Sequence, residues 1–248
     1  MNGGEIFLWE LLGTTLLLLL GCGVVANHVL RKTNGHAAGT LFINIGWGFA
    51  VFTGASVANP TGAHLNPAVT LGLWVSDKMD GGDVPWYLLG QICGGILGAI
   101  LCWATYKLQF DDHPEPENTL GVFSTIPQIP NKLWNTVTEV IGTFVLVAWI
   151  LFSPGYSESG GSPVFGNAAL GYAGVAFVVL VIGTSLGGPT GYAINPVRDL
   201  GPRIAYAFIL PIKGKGDAQW GYSWVPVAGP LLGGLLAGLL YNIWPELP

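Results

Sequence analysis

Two Asn-Pro pairs, Asn66-Pro67 and Asn195-Pro196, lie 129 positions apart in a chain that is 51% hydrophobic. Asn is a favoured N-cap and Pro is favoured at the first helical position, so each pair predicts the beginning of a helix. A helix N-terminus carries unpaired N–H donors and about half a positive charge, and each Asn adds side-chain N–H donors. Two such termini placed together would bind neutral solutes through their oxygen atoms and disfavour cations and protons.

Charged residues within the apolar segments are few, and each needs a physical reason. Arg198 and Asp199 follow the second Asn-Pro pair directly, while Glu10 and Glu139 lie in long apolar runs. A charge inside a bilayer is disfavoured by about 2.5–3.5 kcal/mol or more on insertion scales. Each of these four side chains must therefore be compensated by hydrogen bonds or by an opposite charge.

The composition predicts that membrane-spanning helices position these residues. Only 9% of the 248 residues are charged, against about 25% in a soluble domain, which excludes a water-soluble globule. Runs of about 20 apolar residues can cross a bilayer, and they occur at roughly 6–29, 38–57, 85–106, 133–152, 166–186 and 222–244. The net charge of −5, without a basic cluster, argues against a nucleic-acid partner.

The chain contains an internal repeat. Three kinds of landmark share the offset of 129 positions, namely Glu10 and Glu139, Gly62 and Gly191, and Asn66 and Asn195. Each half holds three spans, an odd number, so the second half begins on the opposite side of the membrane and the repeats are inverted. We assign residues 1–107 to the first repeat, 108–131 to a connecting loop and 132–248 to the second repeat of one domain.

The segments that follow the Asn-Pro pairs are too short to span a membrane. Asn66 to Ser76 is 11 residues, which as a helix reaches about 16 Å, roughly half the hydrocarbon core. We therefore expect half-helices whose N-termini meet at mid-membrane. Irregular backbone at that depth is tolerated where it lines a cavity, so the main-chain carbonyls before each Asn are candidates for a pore lining: Gly62, Ala63, His64, Leu65, Gly191, Tyr192, Ala193 and Ile194.

The paired signatures GAHLNPAVT and GYAINPVRDLGP resemble those of the major intrinsic proteins, the aquaporin and aquaglyceroporin family, over essentially the whole chain. The resemblance implies an all-α membrane protein with the aquaporin fold, in which six transmembrane helices and two re-entrant half-helices form an inverted 3+3 repeat. It also implies that Asn66 and Asn195 are donors at the pore centre. A positive barrier of this kind is a known determinant of selectivity in aquaporin-type pores.

The resemblance further implies a selectivity filter made of Trp47, Gly183, Tyr192 and Arg198. The segment from Trp47 to Asn66 is one residue shorter than the family pattern, so Gly46 is the alternative for the first position. A filter of this composition is wide and has an apolar corner, as in the polyol-conducting branch. Arg198 would donate hydrogen bonds to the hydroxyls of a solute and would repel cations.

Residues around the second Asn-Pro pair support the same branch and suggest a scaffold. Asp199, Arg203 and the pair Pro226-Val227 are typical of glycerol-conducting members. The family pattern implies that Glu10 and Glu139 accept backbone N–H groups of the two loops. Asp199 would fix its loop by pairing with Arg203 or with backbone donors. Val197 stands where the motif usually has Ala, and it would add bulk beside the pore centre.

The function that these residues predict is a passive channel for small uncharged solutes. Glycerol and other small polyols are the expected solutes, with water, and with protonated lactic acid, urea, dihydroxyacetone and hydrogen peroxide as further candidates. The alternatives are a water-selective aquaporin and an ion-coupled secondary transporter, since inverted repeats with broken helices occur there too. No nucleophile, metal cluster or phosphate loop supports an enzyme, and we expect no cofactor and no metal.

The family also implies a multi-pass protein of the plasma membrane, surrounded by the lipid bilayer and assembled as a homotetramer. Both termini would be cytoplasmic, with the connecting loop 108–131 extracellular and the Ser- and Gly-rich segment 153–163 in the cytosol. The positive-inside rule favours the reverse orientation. In the family orientation only Lys78 lies inside, and the outside holds Arg31, Lys32, Lys107, Lys132, Lys213 and Lys215.

Overall fold

The structure, a computed structural model, describes residues 1–153 and 168–244. Within these ranges the chain is helical and forms no strand. The helices, in chain order, are α1 (Gly3–Val29), α2 (Thr40–Val57), α3 (Pro67–Val75), α4 (Val84–Thr105), α5 (Lys107–Asp112), α6 (Leu120–Phe123), α7 (Lys132–Phe152), α8 (Ala168–Leu186), α9 (Pro196–Ile204) and α10 (Val225–Ile243).

The long helices confirm the fold class predicted from the sequence. Helices α1, α2, α4, α7 and α10 are long and apolar enough to cross a membrane, and α8 adds a shorter apolar stretch, Gly171–Leu186. Helices α3 and α9, at nine residues each, are the expected half-helices. The beginning of the predicted span 166–186, and the segment expected in the cytosol after Ser153, lie outside the described residues.

Helices α1 and α4 pack closely along a row of glycines. Gly90, Gly94 and Gly98 are one helical turn apart, and a Cβ built at each would lie 2.6 Å from a main-chain oxygen of α1. In the second half, a Cβ at Gly233 of α10 would lie 2.5 Å from a main-chain oxygen of α7. Side chains at these positions would collide with the neighbouring backbone, so the glycines set the distance between the helices.

Each half-helix packs on the last spanning helix of the other half. A Cβ at Gly234 of α10 would lie 2.3 Å from the main-chain oxygen of Ala68 in α3. A Cβ at Gly95 of α4 would lie 2.7 Å from Cγ1 of Val197 in α9. The glycine before each of these faces the first helix of its own half. In each of the repeated sequences GQICGG and GPLLGG, the first glycine of the final pair therefore packs against a helix of its own half. The second packs against the half-helix of the other half, which holds the two halves together.

The segment between the halves is more structured than a connecting loop. It contains α5, a 3₁₀ turn at Pro116–Asn118 and α6. Its apolar side chains Phe110, Leu120 and Phe123 are buried in the core that α1, α2 and α4 also build. This burial draws residues 120–125 back into the protein, where they meet α9.

The distribution of apolar and charged side chains is the one expected for a protein surrounded by lipid. Large apolar residues are exposed on the outer faces of the helices, such as Leu8 at 62%, Phe177 at 64% and Ile243 at 79%. The ionisable Glu10 and Arg203 are fully enclosed. Apolar side chains can face lipid without loss, whereas charges inside a membrane protein face its interior.

Candidate functional site: two cavities that meet at a constriction

Two cavities adjoin inside the helix bundle. The wide cavity has a volume of about 770 Å³ and the narrow cavity one of about 140 Å³. Trp47, Tyr192 and Arg198 line both cavities. The boundary between them is thus built from three of the four residues that the sequence predicts for a selectivity filter. The fourth, Gly183, borders the wide cavity only.

The remaining candidates also reach these cavities. Gly191 borders the wide cavity, beside Tyr192. The rest border the narrow cavity, namely Gly62, Ala63, His64, Leu65, Asn66, Ala193, Ile194 and Asn195. The narrow cavity also has apolar side chains, among them Val69, Leu146 and Val179. It therefore presents a polar strip of main chain and amides against an apolar surface.

Arg198 is held at the constriction from two directions. Its main-chain N–H donates to Oδ1 of Asn195 at 3.2 Å in the first turn of α9. Its guanidinium carbon lies 3.8 Å from the centre of the Trp47 ring, a cation–π contact, and Nη1 donates to the main-chain oxygen of Phe123 at 3.1 Å. A guanidinium carries five N–H donors, so donors remain for a solute in the cavities that Arg198 lines.

Trp47, and not Gly46, faces the cavities. A Cβ at Gly46 would lie 2.5 Å from Val24 of α1, so this residue faces its neighbouring helix. The Trp47 ring lies over Gly21 of α1, where a Cβ would be 2.1 Å from Cζ3 of the indole. The small residue at position 21 thus gives the indole room to turn its face toward Arg198.

The space left by Gly183 is occupied by the ring of Tyr192. A Cβ at Gly183 would lie 2.7 Å from Cζ of Tyr192, and a Cβ at Gly187 would lie 2.4 Å from Cδ1 of the same ring. Gly183 lies in the last turn of α8 and Gly187 directly follows the helix, and together they form a shallow groove. Gly183 therefore acts on the width of the constriction through the position of Tyr192.

The two Asn side chains each cap one half-helix and bind the loop of the other. Oδ1 of Asn66 accepts from the Ala68 N–H at 2.9 Å, and Nδ2 donates to the Ile194 carbonyl at 2.8 Å. Oδ1 of Asn195 accepts from the Val197 N–H at 3.0 Å, and Nδ2 donates to the Leu65 carbonyl at 2.8 Å. Each amide keeps a second N–H. The Leu65 and Ile194 carbonyls, both candidates for the pore lining, already accept one hydrogen bond.

The loops before the Asn residues hold an unusual backbone conformation. Ala63, Leu65, Tyr192 and Ile194 have φ of 55°, 52°, 39° and 44°, in the left-handed region. Non-glycine residues there are disfavoured by about 1–3 kcal/mol each and persist only where the surroundings enforce them. Such strain, repeated in both loops, indicates a functional constraint on where the carbonyls lie.

A buried carboxylate organises the first loop. Glu10 accepts from Thr61 Oγ1 at 2.8 Å, His64 N at 3.0 Å, Leu65 N at 2.8 Å and Gln91 Nε2 at 2.8 Å. Four donors around one carboxylate balance the loss of hydration that its burial causes.

Glu139 organises the second loop with fewer side-chain partners. It accepts from Ala193 N at 3.0 Å and from Ile194 N at 2.8 Å. Gln91, the amide partner of Glu10, corresponds to Pro230 in the repeated motif of α10, and Pro offers no side-chain donor. Both carboxylates therefore accept two backbone N–H groups. Only Glu10 also has an amide donor on the last spanning helix of its half.

Asp199 binds both kinds of partner expected for it. Its carboxylate accepts from Arg203 Nε at 2.8 Å and from Arg203 Nη2 at 3.0 Å. It also accepts from Thr125 N and from Thr125 Oγ1, each at 2.7 Å. Arg203 extends the network to the carbonyls of Ala218 and Thr125. Asp199 and Arg203 border neither cavity and lie behind the constriction.

Val197 does not add bulk to the pore centre, contrary to the expectation from the sequence. It borders neither cavity, and its side chain packs on Gly95 of α4. The extra methyl groups fit there because position 95 carries no side chain.

Several residues that contact the site are not among those predicted from the sequence. Thr61 could have been found, because Thr190 repeats it at the same offset of 129 positions. Phe123 and Thr125 lie in the segment predicted as a connecting loop, and Asn44 lies in an apolar span without a motif. Among the described residues, no three His, Cys, Asp or Glu side chains form a group that could hold a metal ion.

Comparison with known proteins supplies names for similar chains. The family model described as major intrinsic protein matches residues 5–241. Glycerol uptake facilitator protein 3 of Lactiplantibacillus plantarum is 47% identical over 242 residues, 96% of each chain. The probable glycerol uptake facilitator protein of Thermotoga maritima is 46% identical over 240 residues, 96% of this chain and 98% of the relative.

A solved structure shares the fold. The X-ray structure of the aquaglyceroporin from Plasmodium falciparum superposes with a TM-score of 0.81 at 28% sequence identity. The match covers 98% of this chain and 96% of that one.

Proposed function

The chain belongs to the major intrinsic protein family, and from that premise we propose that its two adjoining cavities conduct glycerol passively across a membrane. The protein is a channel for small uncharged solutes. Water shares the path. The names of its relatives support glycerol in particular, since those with 46–47% identity over nearly their whole length are called glycerol uptake facilitators.

The observation that carries this proposal is the constriction formed by Trp47, Tyr192 and Arg198. Glycerol has hydroxyls along one edge and a carbon chain along the other. The guanidinium of Arg198 supplies N–H donors for the hydroxyls, and the parts of the Trp47 and Tyr192 rings that line the cavities contact the carbons. A polyol replaces its lost hydration on one side and buries apolar surface on the other.

The half-helices explain why ions and protons do not follow the solute. The N-termini of α3 and α9 carry partial positive charge, and the cross-bonds of Asn66 and Asn195 hold them together. A cation meets a positive potential there and at Arg198. The remaining N–H of each Asn amide serves a hydroxyl or a water as it passes.

The buried carboxylates have a scaffold role in this proposal. Glu10 and Glu139 hold main-chain N–H groups, so the carbonyls of the same loops turn toward the narrow cavity. Asp199 holds Arg203 and Thr125 behind Arg198. Among the described residues, the Glu10 carboxylate connects to the His64 ring at the narrow cavity through the amide of Gln91 and the hydroxyl of Thr70. An amide is a poor proton carrier, so this network supports a scaffold role and not a proton relay.

Stopped-flow light scattering on proteoliposomes of the purified protein tests the function. Glycerol efflux should exceed that of empty liposomes, rise linearly with the glycerol gradient and show no dependence on a proton or sodium gradient. Rapid water flux with glycerol at the background level would establish the water-selective alternative. Saturable flux driven by an ion gradient would establish the secondary transporter.

The placement in the cell and the assembly complete the proposal. We place the protein in the plasma membrane as a homotetramer with both termini in the cytoplasm, residues 108–131 outside, and residues 1–107 and 132–248 as its two repeats. A reporter that is active only in the periplasm, fused to the C-terminus, should stay inactive. Cross-linking in native membranes should stop at four subunits.

A further inference from the structure

A hydrogen bond fixes one aromatic residue of the constriction. The hydroxyl of Tyr192 donates to Oδ1 of Asn44 at 2.7 Å. The two residues are 148 positions apart in sequence. Asn44 lies in α2 one turn before Trp47, so the pair joins the second loop to the helix that carries another residue of the constriction. The bond therefore ties Tyr192 to the helix that carries Trp47.

The ring of Tyr192 is held at both ends. Its edge lies in the groove that Gly183 and Gly187 form at the end of α8, and its hydroxyl donates to Asn44 of α2. The side chain starts from a left-handed backbone, with φ of 39°. Asn44 also contacts α8, because a Cβ at Gly183 would lie 3.0 Å from its Cγ. Without the bond to Asn44, the groove alone would fix the ring.

The side chain of Asn44 also keeps hydrogen-bond donors for a solute in the wide cavity. It is 6% exposed and borders the wide cavity, immediately before the constriction. Its Oδ1 is used by Tyr192, and its N–H₂ group has no hydrogen bond to any described residue. The Asn44 oxygen and the Tyr192 hydroxyl thus satisfy each other. The two N–H groups of the Asn44 amide are left to bind a passing solute.

We propose that Asn44 is a specificity-determining residue of this channel, which sets the width of the constriction by holding Tyr192. This inference rests on the proposed function, because it concerns which solutes pass the same constriction. Asn44 is a positioning residue for Tyr192, and its amide is a first contact for solutes that enter from the wide cavity. Larger polyols are rejected because the ring cannot move aside.

The test compares Tyr192→Phe, Asn44→Leu and the double variant in proteoliposomes. Phe keeps the ring without the hydroxyl, and Leu keeps the volume of Asn without its polar atoms. We measure the permeability of erythritol, glycerol, urea and water and take the ratio of each larger solute to water. Each single variant should raise the erythritol ratio by roughly two- to tenfold, the change that one lost neutral hydrogen bond makes in an equilibrium constant.

The double variant separates a coupled pair from two independent residues. If the hydrogen bond sets the width, the double variant should change the ratio no more than the larger single change. Multiplying effects, or an Asn44→Leu variant with wild-type ratios beside an altered Tyr192→Phe, would overturn the proposal. Asn34→Leu makes the same exchange as Asn44→Leu at an exposed position that borders neither cavity, so it is the control and should keep the wild-type ratios.

Two provisions keep the test decisive. Asn44→Ala replaces Asn44→Leu if the latter does not elute as a single species on size exclusion. If the wild-type protein conducts no glycerol, the proposed function is refuted. The ratio of urea to water permeability in the variants would then still test the role of Asn44. Melting temperatures of the four proteins give a second cycle, and additive changes there would also contradict the bond.

Discussion

The side-chain amide nitrogen of Asn195 lies 2.8 Å from the main-chain oxygen of Leu65, on the loop of the other repeat. Asn66 makes the reciprocal bond to Ile194. Each Asn therefore does two things at once, since its oxygen caps its own half-helix and its nitrogen binds the opposite loop. The meeting of the two helix N-termini depends on this exchange, and it cannot be altered on one side without affecting the other.

Asn195→Asp should destabilise the protein and admit cations. The carboxylate can still cap α9, but it cannot donate to Leu65, whose buried carbonyl would lose its partner at a loss of about 1–3 kcal/mol. It also puts negative charge where the helix N-termini meet. We expect a lower melting temperature in detergent and a faster potassium leak from proteoliposomes.

The control for that substitution is Asn34→Asp, at an exposed position on the turn after α1. It makes the same chemical change away from the half-helices and should alter neither property. A stable, ion-tight Asn195→Asp channel would show that the cross-bond and the amide donors are dispensable.

Glu10→Gln should destabilise the protein more than Glu139→Gln does. Glu10 has four donors, including Gln91, whereas Glu139 lacks an equivalent of Gln91. Gln keeps one acceptor oxygen, but its N–H₂ group replaces the other oxygen and faces donors that then lose their acceptor. A hydrogen bond to a charged group contributes about 1.5–3 kcal/mol to stability. Thermal unfolding in detergent measures the difference. Glu117→Gln, on the surface, should be neutral, and equal melting temperatures for the two buried variants would contradict the asymmetry.

The sequence predicts the parts of the fold that local chemistry dictates. The spans follow from the length of the apolar runs, and the half-helices follow from Asn-Pro caps followed by too few residues to cross. The offset of 129 positions predicts inverted halves because each contains an odd number of crossings. Trp47, Gly183, Tyr192 and Arg198 reach the cavities as the family pattern implies.

Contacts between distant segments were not predictable in the same way. Asn44 shows no signal in sequence, because a lone Asn in an apolar helix has many uses, and its role emerges only where Tyr192 reaches it from 148 positions away. The sequence predicts a connecting loop over residues 108–131, yet the buried Phe123 returns the chain to Arg198. The motif predicts Val197 beside the pore, because the sequence gives its position in the half-helix but not its contact with Gly95.

Gly183→Ala should narrow the constriction. A Cβ at this position would lie 2.7 Å from Cζ of Tyr192, so the ring must shift away from α8 within the constriction that it lines. We expect glycerol permeability to fall about tenfold, as a barrier increase of about 1.4 kcal/mol gives, with a smaller effect on water. Gly171→Ala in the same helix meets no atom of the described residues within 4 Å and should leave both fluxes unchanged. Equal losses for water and glycerol would indicate misfolding and not a narrower filter.

Val197→Ala should affect stability and leave conduction alone. Val197 is 4% exposed and packs on Gly95, so the substitution removes two buried methyl groups, worth about 1–2 kcal/mol with the cavity they leave. The melting temperature should fall, while the ratio of glycerol to water permeability should stay at the wild-type value. A changed ratio would place Val197 at the pore after all.

Arg198→Lys and Arg198→Leu should separate recognition of the solute from exclusion of ions. Lys keeps the positive charge but not the planar group that packs on Trp47 and reaches the Phe123 carbonyl. Glycerol permeability should therefore fall about tenfold, a loss of about 1.4 kcal/mol of transition-state interaction, while the vesicles remain tight to protons. Leu removes the charge as well, so protons and cations should enter faster, as a pH-sensitive dye inside the vesicles would report. Arg31→Lys at an exposed position is the control for both measurements. Proton-tight vesicles with Arg198→Leu would assign ion exclusion to the half-helix N-termini alone, because those are the positive groups that the substitution leaves in place.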